Sequence, residues 1–344
     1  MEYFVIGRNG IPLVYNEKLM GLYHTDMRPF SLRFQFSDPN YDPSQVESWE
    51  YPEGVFHTWE EGSTWTKVQG VSENQWDWYY ENSDWDTAFW WAFTDSDNMV
   101  QVIDGNTSDV HLMDALFDGC SSLTSVCMLD TSNVVSMNEM FMMCRSLSTV
   151  PLFDTSNVDS TRYMFGECRS LVEVPLFDLH NVSMMNYMFH GCSSLTSIPA
   201  FNTSNATRMR GLFMSCLSLT SVPILDTHNV TDIAQMFDGC RSLQTIPLFD
   251  TSNVTDMSYF ADGCTSLMEV PILNTSKVEN MSWAFRDCTN VYRGAYTLYN
   301  QASTQTTPPT GHTNTFKNCG SNTTSGSMDL MSIPESWGGN GIGW

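Results

Sequence analysis

The chain has 344 residues and a formal net charge of −24, from 39 acidic and 15 basic side chains. This balance argues against nucleic acid as a partner, since nucleic-acid binding rewards Lys and Arg side chains that displace phosphate counterions, and against an anionic membrane surface. The sequence contains no apolar run of about 18 residues and therefore predicts no membrane insertion.

The first residues, MEYFVIGRNGIPLVYNEK, lack the basic segment and the long apolar run of a secretory signal. We therefore expect the protein to be made in a cytoplasm, where disulfides are disfavoured. The ten cysteines of the chain are accordingly expected to stay reduced.

Residues 1–105 contain eight of the eleven Trp residues of the chain. The segment PFSLRFQFSD (29–38) alternates apolar and polar side chains, which predicts a half-buried strand. The segment 74–93 is too aromatic and too often interrupted by Asp and Asn for a surface helix. We expect a small β-rich or mixed docking domain whose aromatic side chains cap the first repeat. The alternative is that its Trp cluster binds carbohydrate or a partner protein.

From residue 106 onward the sequence repeats with a period of 24 residues, and a cysteine marks each copy. These cysteines are Cys120, Cys144, Cys168, Cys192, Cys216, Cys240, Cys264 and Cys288. Apolar residues follow at fixed steps, so the unit reads C-x-S-L-x-x-V-P-x-F-D-T-S-N-V-x-x-M-x-x-M-F-x-G. Regular self-similarity on this scale is typical of stacked repeat proteins.

A single copy of this unit is not expected to fold by itself. Burying its roughly eight apolar side chains at about 1.5–3 kcal/mol each does not offset the about 1–2 kcal/mol for each backbone residue that becomes fixed. Copies that cover one another remove this deficit. We therefore predict a repeat solenoid over residues 106–290, with short parallel strands at SLxxVP and NVxxM and one helical or 3₁₀ turn in stretches such as MNYMF (185–189).

Both ends of the repeat region depart from the unit. Residues 106–120 match the second half of one copy, and Cys319 restores the cysteine position after an interval longer than the regular period. We predict irregular, insertion-bearing coils and a Trp-containing cap over residues 291–344, because the outer faces of terminal repeats meet water. Within this part, GAYTLYNQAS (294–303) is predicted to be a helical insertion.

We interpret the cysteine ladder as part of the core. Metal binding needs ligands that converge on one point, whereas a ladder spreads its sulfur atoms along a line. Cysteine also behaves as a small buried hydrophobe. We therefore predict no metal and no cofactor, and we keep metal or redox chemistry as the alternative.

A second ladder is rich in carboxylate and amide side chains. Its members are Asp130, Asp154, Asp178, Asn202, Asp226, Asp250 and Asn274. Stacked carboxylates could hold Ca²⁺, but Asp and Asn at a bend also accept hydrogen bonds from nearby backbone N–H groups. We favour turn formation and keep calcium binding as the alternative.

One row of side chains is a candidate for ligand binding. Five positions before each following cysteine stand Glu139, Tyr163, Tyr187, Gly211, Gln235, Tyr259 and Trp283. Neighbouring Met residues are expected to point inward, so we expect this row to lean outward, where it could stack on sugar rings or pack against another chain. The candidate ligand-binding residues are Tyr163, Tyr187, Tyr259, Trp283, Arg162 and Arg210. Lateral packing or plain exposure is the alternative.

The sequence shows no catalytic constellation. The seven histidines form no His-Glu-x-x-His pattern, and neither a Gly-x-Ser-x-Gly motif nor a phosphate-binding loop occurs. Two spaced carboxylates in residues 1–105 would suffice for glycoside cleavage, but a charged surface is the commoner meaning of such side chains. We expect no enzyme activity.

The unit CSSLTSVCMLDTSNVVSMNEMF (120–141) and its copies resemble the BspA-like leucine-rich repeats of bacterial surface proteins. This resemblance implies a right-handed coil with short parallel strands and short helical turns, used in adhesion and protein binding, and it carries no catalytic residues. The flanking segments WDWYYENSDWDTAFW, VIDGNTSDV and IPESWGG look like proteins carried by tailed phages of gut bacteria, crAss-like phages included. This second resemblance implies a virion appendage or host-attachment component.

We therefore expect a non-enzymatic virion protein, a fibre or other appendage component made in the host cytoplasm. Its N-terminal region would contact other virion proteins, its repeats would bind a host surface glycan or protein, and the chain is expected to form homo-oligomers. The alternatives are a bacterial cell-surface adhesin and a purely structural scaffold or decoration protein. The N-terminus favours the virion interpretation, because bacterial members usually carry export signals.

Overall fold

The computed structural model describes residues 30–37 and 98–341, together with the backbone of six further strands. In chain order, the strands β1 to β9 of these residues are Glu2–Ile6, Pro12–Asn16, Phe30–Phe36, Trp49–Glu50, Phe56–His57, Ser63–Gln69, Trp76–Asn82, Met99–Asn106 and Ser125–Val126. The helices α1 (Ala295–Thr304) and α2 (Thr324–Ser332) follow, and then a 3₁₀ turn at Glu335–Trp337.

The N-terminal strands form three sheets. β1 pairs with β2 and β4 with β5, both antiparallel. The third sheet has the order β6-β7-β3-β8-β9 and is antiparallel except for its last pair. The strand predicted within residues 29–38 is confirmed as β3. The aromatic stretch 74–93 contains β7, and its remainder from residue 83 lies outside the described residues.

The third sheet continues into the repeat region. β8 pairs in parallel with β9, which places Val102 opposite Val126 of the first repeat. Leu32, Phe34 and Phe36 of β3 belong to the same buried cluster as the repeat core. This N-terminal sheet therefore shares its core with the first repeat, across the predicted domain boundary at residue 105. The Trp side chains that were predicted to form the cap lie outside the described residues.

The repeats stack in register. Single-residue parallel bridges between equivalent positions of successive copies connect Leu112, Ser136, Ser160, Met184, Arg208, Asp232, Asp256 and Asn280. The last bridge joins Asn280 to Gly311, so the insertion lies between these two residues. Equivalent positions of successive copies therefore lie one strand spacing apart, about 4.8 Å.

Backbone hydrogen bonds in the turn half of each unit point forward to the next copy. In one unit the N–H groups of Met137, Glu139, Phe141 and Met143 donate to carbonyl oxygens of the following copy, at 2.7–3.1 Å. Of the intervening N–H groups, those of Met140 and Met142 bond to carbonyl oxygens three residues earlier in the same unit, and that of Asn138 donates to Asp114 Oδ1 of the preceding copy at 2.7 Å. The internal bonds span three residues, as in the 3₁₀ alternative. They alternate with bonds to the next copy, so the segment is a series of stacked turns and not a continuous helix, which uses every N–H group internally.

The predicted strands at SLxxVP are almost absent. Among the described repeats β9 is a two-residue strand, and most other copies keep a single backbone bond to the neighbouring copy at this segment, such as that from Val172 N–H to Ser148 O at 3.2 Å. The proline that follows, Pro175 in this copy, has no N–H group and prevents the ladder from extending. The NVxxM segments contribute most of the single-residue bridges and no longer strands, and one SLxxVP segment contributes the bridge between Glu269 and Arg293.

Phenylalanine and cysteine side chains form parallel ladders in the core. The rings of Phe189, Phe213 and Phe237 stack at centroid distances of 5.7–5.8 Å. Beside them, thiol groups donate to backbone carbonyl oxygens of the preceding copy, as Cys216 Sγ does to Phe189 O at 3.1 Å. The eight cysteines of the ladder are fully buried. All ten cysteines lie within residues 98–341, and none forms a disulfide.

The D-T-S-N segment of each unit makes three different kinds of hydrogen bond. Asp154 Oδ1 accepts from the N–H and hydroxyl groups of Ser156, at 3.0 and 2.7 Å. The hydroxyl of Thr155 donates to a backbone carbonyl of the next copy at 2.7 Å, and the amide of Asn157 donates to one of the preceding copy at 2.7 Å. The acidic ladder thus forms bends that side-chain bonds tie to both neighbours, as the favoured interpretation predicts.

The C-terminal part contains the predicted helical insertion, confirmed as α1. The face of this helix that packs on the repeats consists of Ala295, Leu298 and Ala302. Further on, Trp337 stacks on His312 at 4.4 Å and lies 6.5 Å from Phe316, so it covers the end of the phenylalanine ladder. Within the described residues no helix is both long and apolar enough to cross a bilayer.

Replacing Phe213 by Ala should destabilise the repeat array strongly. The ring contacts its equivalents in both neighbouring copies, and truncating a buried Phe costs about 3–5 kcal/mol. Urea unfolding followed by circular dichroism measures the change. Leu217→Ala in the same copy is the control, because Leu217 is 41% exposed and should lose less than about 0.5 kcal/mol. Equal losses for the two variants would show that the ladder is not the core.

Candidate functional site

The candidate row lies on the turn face, where the backbone is left-handed. From Tyr163 to Trp283 its six members have φ between 52° and 60°. This conformation costs a non-glycine residue about 1–2 kcal/mol, and it directs each N–H group to a carbonyl of the next copy at 2.8–3.0 Å. The tyrosine and tryptophan side chains are half-buried. The neighbouring Met140, Met164 and Met188 are buried as expected, and the partly exposed aromatic rings pack laterally against one another along the stack.

The first aromatic cluster consists of Tyr163, Tyr187, His190 and Glu167. The two tyrosine rings stack at 4.7 Å with an interplanar angle of 9°. The ring of His190 stands edge-on to both, at 6.4 and 6.0 Å, and its Nε2 lies 3.4 Å from Glu167 Oε1. Burial, together with the nearby Tyr187, raises the pKa of Tyr163. The Tyr163 hydroxyl group therefore stays protonated and able to donate at neutral pH.

A glycine and a glutamine interrupt the aromatic row after Tyr187. The Tyr187 ring lies over Gly211, where any Cβ atom would overlap the ring carbons. Across this gap the Tyr187 hydroxyl donates to Gln235 Oε1 at 2.8 Å. Gly211 thus allows one tyrosine to reach over a complete copy, so the first aromatic cluster extends to Gln235.

The second aromatic cluster consists of Tyr259, Trp283, Asp262 and Arg286. The two rings stack at 4.8 Å, and the guanidinium of Arg286 lies 5.9 Å from the centre of the Tyr259 ring. Arg286 Nε also donates to Asp262 Oδ1 at 2.9 Å. One copy earlier, burial and the nearby Asp262 raise the pKa of Asp238 to about 6. This cluster therefore combines stacked rings with an ion pair and a carboxyl that titrates near neutral pH.

The two predicted arginines have different environments. Arg162 is exposed beside Tyr163 and makes no ion pair among the described residues. Arg210 Nε lies 3.0 Å from Asp232 and its Nη2 lies 2.7 Å from Asp256, so this side chain links three successive copies. Of the two, Arg162 is the one that is open to a ligand.

The cysteine ladder has the properties of core side chains. Burial raises the pKa of the Cys144 and Cys216 thiols well above the ordinary range. Since the thiolate is the nucleophile and the metal ligand, such thiols are inert at neutral pH. In the described part of the chain, no group of three or more His, Cys, Asp or Glu side chains has an arrangement that could hold a metal ion.

The structure adds residues that the sequence did not point to. His190, Glu167, Asp262 and Arg286 each occupy one of the two positions directly before a cysteine, where several other copies carry Met or Gly. The repeat pattern treats these positions as variable, so their departure from the unit was the available signal. The Nδ1 atom of His190 is buried and has no hydrogen-bond partner among the described residues.

Each cluster places charged side chains against stacked aromatic rings. Tyrosine and tryptophan are frequent at binding surfaces because they combine an apolar ring with a polar group. The predicted row is brought together only in pairs, Tyr163 with Tyr187 and Tyr259 with Trp283. The turn face therefore offers two separate sites and not one continuous aromatic strip.

Comparison with known proteins identifies the repeat. The family model described as "Mycoplasma protein of unknown function, DUF285" matches residues 87–197, 172–265 and 221–323. These matches overlap and together span most of the chain, from the end of the N-terminal region to the C-terminal coils. The chain belongs to the DUF285 family. Its repeating units are thus DUF285 repeats, and the predicted repeat architecture is confirmed at this level.

A solved bacterial structure is similar to this chain over part of its length. A leucine-rich repeat protein from Eubacterium ventriosum is similar with a TM-score of 0.40 and 17% identity. The match covers 57% of this chain and 53% of that chain, so it spans about half the length of the bacterial protein. No curated protein matches this DUF285 chain.

Replacing Gly211 by Ala should displace the Tyr187 ring. The new Cβ meets the ring and the residue keeps φ of +60°, so we expect a loss of about 2–4 kcal/mol, part backbone strain and part steric overlap. In a Tyr187→Ala background only the backbone part should remain. Urea unfolding of the two single variants and the double variant measures the coupling.

Gly263→Ala is the matched control for this substitution. Gly263 has φ of +67°, but its Cβ would lie 3.9 Å from the nearest atom. The control should therefore lose only the strain of about 1–2 kcal/mol. Additive losses for Gly211→Ala and Tyr187→Ala would contradict the contact.

Replacing Asp238 by Asn should change how stability depends on pH. The folded pKa of Asp238, about 6, is above the value of 3.8 for an unperturbed Asp. The folded state therefore binds the proton more tightly, and wild-type stability falls as pH rises from about 4 to 6. The variant lacks this loss, so its advantage should grow over that range and then stay constant, on the order of 1 kcal/mol for a half-buried carboxyl.

Asp154→Asn provides a control of opposite sign. Hydrogen bonds from Ser156 lower the pKa of Asp154, so its contribution is present above the unfolded pKa of about 4 and is lost as pH falls through the folded value. Thermal unfolding at a series of pH values measures both differences. An Asp238→Asn variant that tracks the wild type between pH 4 and 6 would show that the carboxyl is not perturbed.

Proposed function

We propose that this DUF285 chain is a non-enzymatic structural protein of a virion, a fibre or other appendage component of a tailed phage that attaches to a host surface. The repeats form a BspA-like leucine-rich-repeat solenoid with a right-handed coil, and its turn face binds a host glycan or protein. The N-terminal region docks on other virion proteins. The observation that carries the binding role is the pair of aromatic clusters on the turn face.

The solenoid part of the proposal is supported by the inter-repeat bonds. Forward backbone bonds recur at each copy, and bridges at equivalent positions continue across the insertion to Gly311. Such an array buries a continuous core and leaves outward positions of each copy free to vary. Function in repeat proteins is then set by side chains that depart from the unit.

The binding role is supported by the position of the side chains that differ from the repeat unit, because they cluster around the stacked rings. The first cluster adds His190 and Glu167 to two stacked tyrosines, and the second adds Arg286 and Asp262 to a stacked Tyr–Trp pair. The four stacked rings stand on left-handed residues and so carry backbone strain. A function that uses the rings explains why aromatic residues stand at positions where glycine would be unstrained.

The virion setting is supported by sequence resemblance. The segments WDWYYENSDWDTAFW and IPESWGG look like those of proteins carried by tailed phages. A bacterial cell-surface adhesin uses the same face in the same way and is the second candidate. A scaffold that binds nothing predicts instead that both clusters are dispensable. The carboxylates of residues 1–105, which an enzyme would need, lie almost entirely outside the described residues.

Removing one aromatic pair at a time tests the binding role. Tyr163→Ala with Tyr187→Ala removes the first pair, and Tyr259→Ala with Trp283→Ala removes the second. Loss of the pair that contacts the host should reduce adsorption about tenfold or more, equivalent to about 1.4 kcal/mol. Tyr163→Phe with Tyr187→Phe keeps both stacked rings and should adsorb nearly normally if stacking, and not the hydroxyl groups, provides the contact.

Adsorption of the purified full chain to intact host cells, together with mass spectrometry of purified virions, gives the readout. Detection in virions and loss of adsorption in a folded alanine variant support the proposal. Absence from virions combined with cell-surface display points to the adhesin. Unchanged adsorption for both alanine pairs would leave a scaffold and refute the binding role.

A further inference from the structure

A second row of side chains, on a different face from the aromatic clusters, is apolar and exposed. Eight residues after each cysteine the chain carries Met128, Leu152, Leu176, Ala200, Ile224, Leu248 and Ile272. We name this set the outer aliphatic row. Its six large members are between 40% and 72% exposed, and Ala200 is also exposed. Core side chains of every unit are buried, so these exposed positions are a separate feature of the repeat.

The outer aliphatic row is continuous. Equivalent positions stack in register through the bridges and through bonds such as Val172 N–H to Ser148 O. Seven aliphatic positions in line present on the order of several hundred Å² of apolar surface, comparable to the largest patch of a typical monomer. A standard interface buries roughly 800 Å² of each partner, so flanking side chains would supply the rest. An uncovered surface of this size is unfavourable in water.

One side of this row is nearly free of charge, whereas the exposed acidic ladder with Asp130, Asp154, Asp178, Asp226 and Asp250 borders the other side, two residues further along each unit. At the neighbouring positions four, five and seven residues after each cysteine from Cys120 to Cys264, the charged side chains are Glu173 and Glu269. Glu269 is already bound to Arg293 and Tyr292. In a chain with net charge −24, two copies avoid bringing their acidic ladders together when the arrays run parallel, because each ladder then faces the uncharged side of the other row.

The regular spacing of the outer aliphatic row favours a second copy of this chain as the partner that covers it. Its side chains recur at one strand spacing, about 4.8 Å, over seven copies, so a surface with the same period can fill every gap along the row at once. A second copy of this chain has that period by construction. A glycan would find no hydrogen-bonding group on the aliphatic side chains. We propose that the outer aliphatic row is the interface of a homodimer in which two repeat arrays pack row against row.

The dimer is expected to depend on concentration and on salt. Its Kd should fall in the micromolar range, and higher salt should tighten it, because screening weakens the repulsion between two acidic chains while apolar burial remains. Sedimentation velocity of the full chain from about 1 to 100 μM, at low and high salt, measures both.

Two triple variants with the same change in charge, one in the outer aliphatic row and one outside it, test whether the row is the dimer interface. Leu176→Glu, Ile224→Glu and Leu248→Glu together should weaken dimerisation by about 100-fold or more. The matched control is Val135→Glu, Met184→Glu and Leu217→Glu, which also replaces three exposed apolar side chains that are 37–41% exposed but lie outside the row. The control should dimerise almost as the wild type does. Thermal unfolding establishes that both variants are folded.

A cross-link tests the geometry without disturbing the apolar contacts. Ala200 is the middle member of the row, so row-against-row packing centred on the array brings it close to its own copy. In a Cys127→Ser background, Ala200→Cys should form an intermolecular disulfide on oxidation, whereas Leu217→Cys should not. Native cysteines of the ladder are buried and do not compete.

The outcomes are decisive in either direction. Loss of the dimer in the row variant alone, with cross-linking at residue 200, supports the proposal. A wild-type chain that stays monomeric at about 100 μM overturns it and leaves the row to a partner of another kind. Equal weakening by the two variants, or a cross-link at residue 217 in place of 200, also overturns it. None of these results depends on whether the aromatic clusters bind a host.

Discussion

The forward hydrogen bond between successive copies is the interaction on which the rest of the structure depends. In the turn half of the unit every second N–H group leaves its own copy and donates to the next one, so the backbone alternates between internal and inter-repeat bonds. This alternation requires residues such as Glu139 and Met143 to be left-handed. It also rules out a helix there. These bonds fix the register of successive copies. Equivalent thiol groups and rings are therefore aligned into ladders.

The energetic effect of placing identical side chains next to one another in register depends on their chemistry. Phenylalanine rings stack on their equivalents at little cost, and Thr and Asn side chains satisfy carbonyls of the neighbouring copies. Like charges are less well suited. Repulsion from Asp250 of the next copy acts to raise the pKa of Asp226. Hydrogen bonds from His228 outweigh that repulsion and lower the pKa of Asp226. Elsewhere Arg210 and Arg286 neutralise acidic neighbours across copies. An acidic DUF285 array thus remains stable by bonding its carboxylates locally.

The two exposed rows divide the surface by chemistry. The turn face collects aromatic rings and charged side chains at positions where the unit varies, which suits recognition of a particular ligand. The outer aliphatic row carries an apolar side chain at every copy, which suits contact with a surface of the same period. Membership of the DUF285 family accounts for the repeat itself, and the side chains of neither row belong to its buried ladders. We propose that the rows serve different partners.

Sequence alone determined the period, the stacking, the buried cysteine ladder, the bends at D-T-S-N, the strand β3 and the helical insertion α1, because each of these depends on residue type at a fixed spacing. Tertiary structure decided what depends on contacts between copies. The left-handed positions of the candidate row carry Tyr, Trp, Gln or Glu, with glycine only at Gly211, so no local signal predicts them. The proline that ends each SLxxVP segment lacks an N–H group, so these segments form almost no strands. The half-burial of Tyr187, its reach over Gly211 and the use of Arg210 in ion pairs arise from residues 22 to 48 positions away, which a linear pattern does not encode.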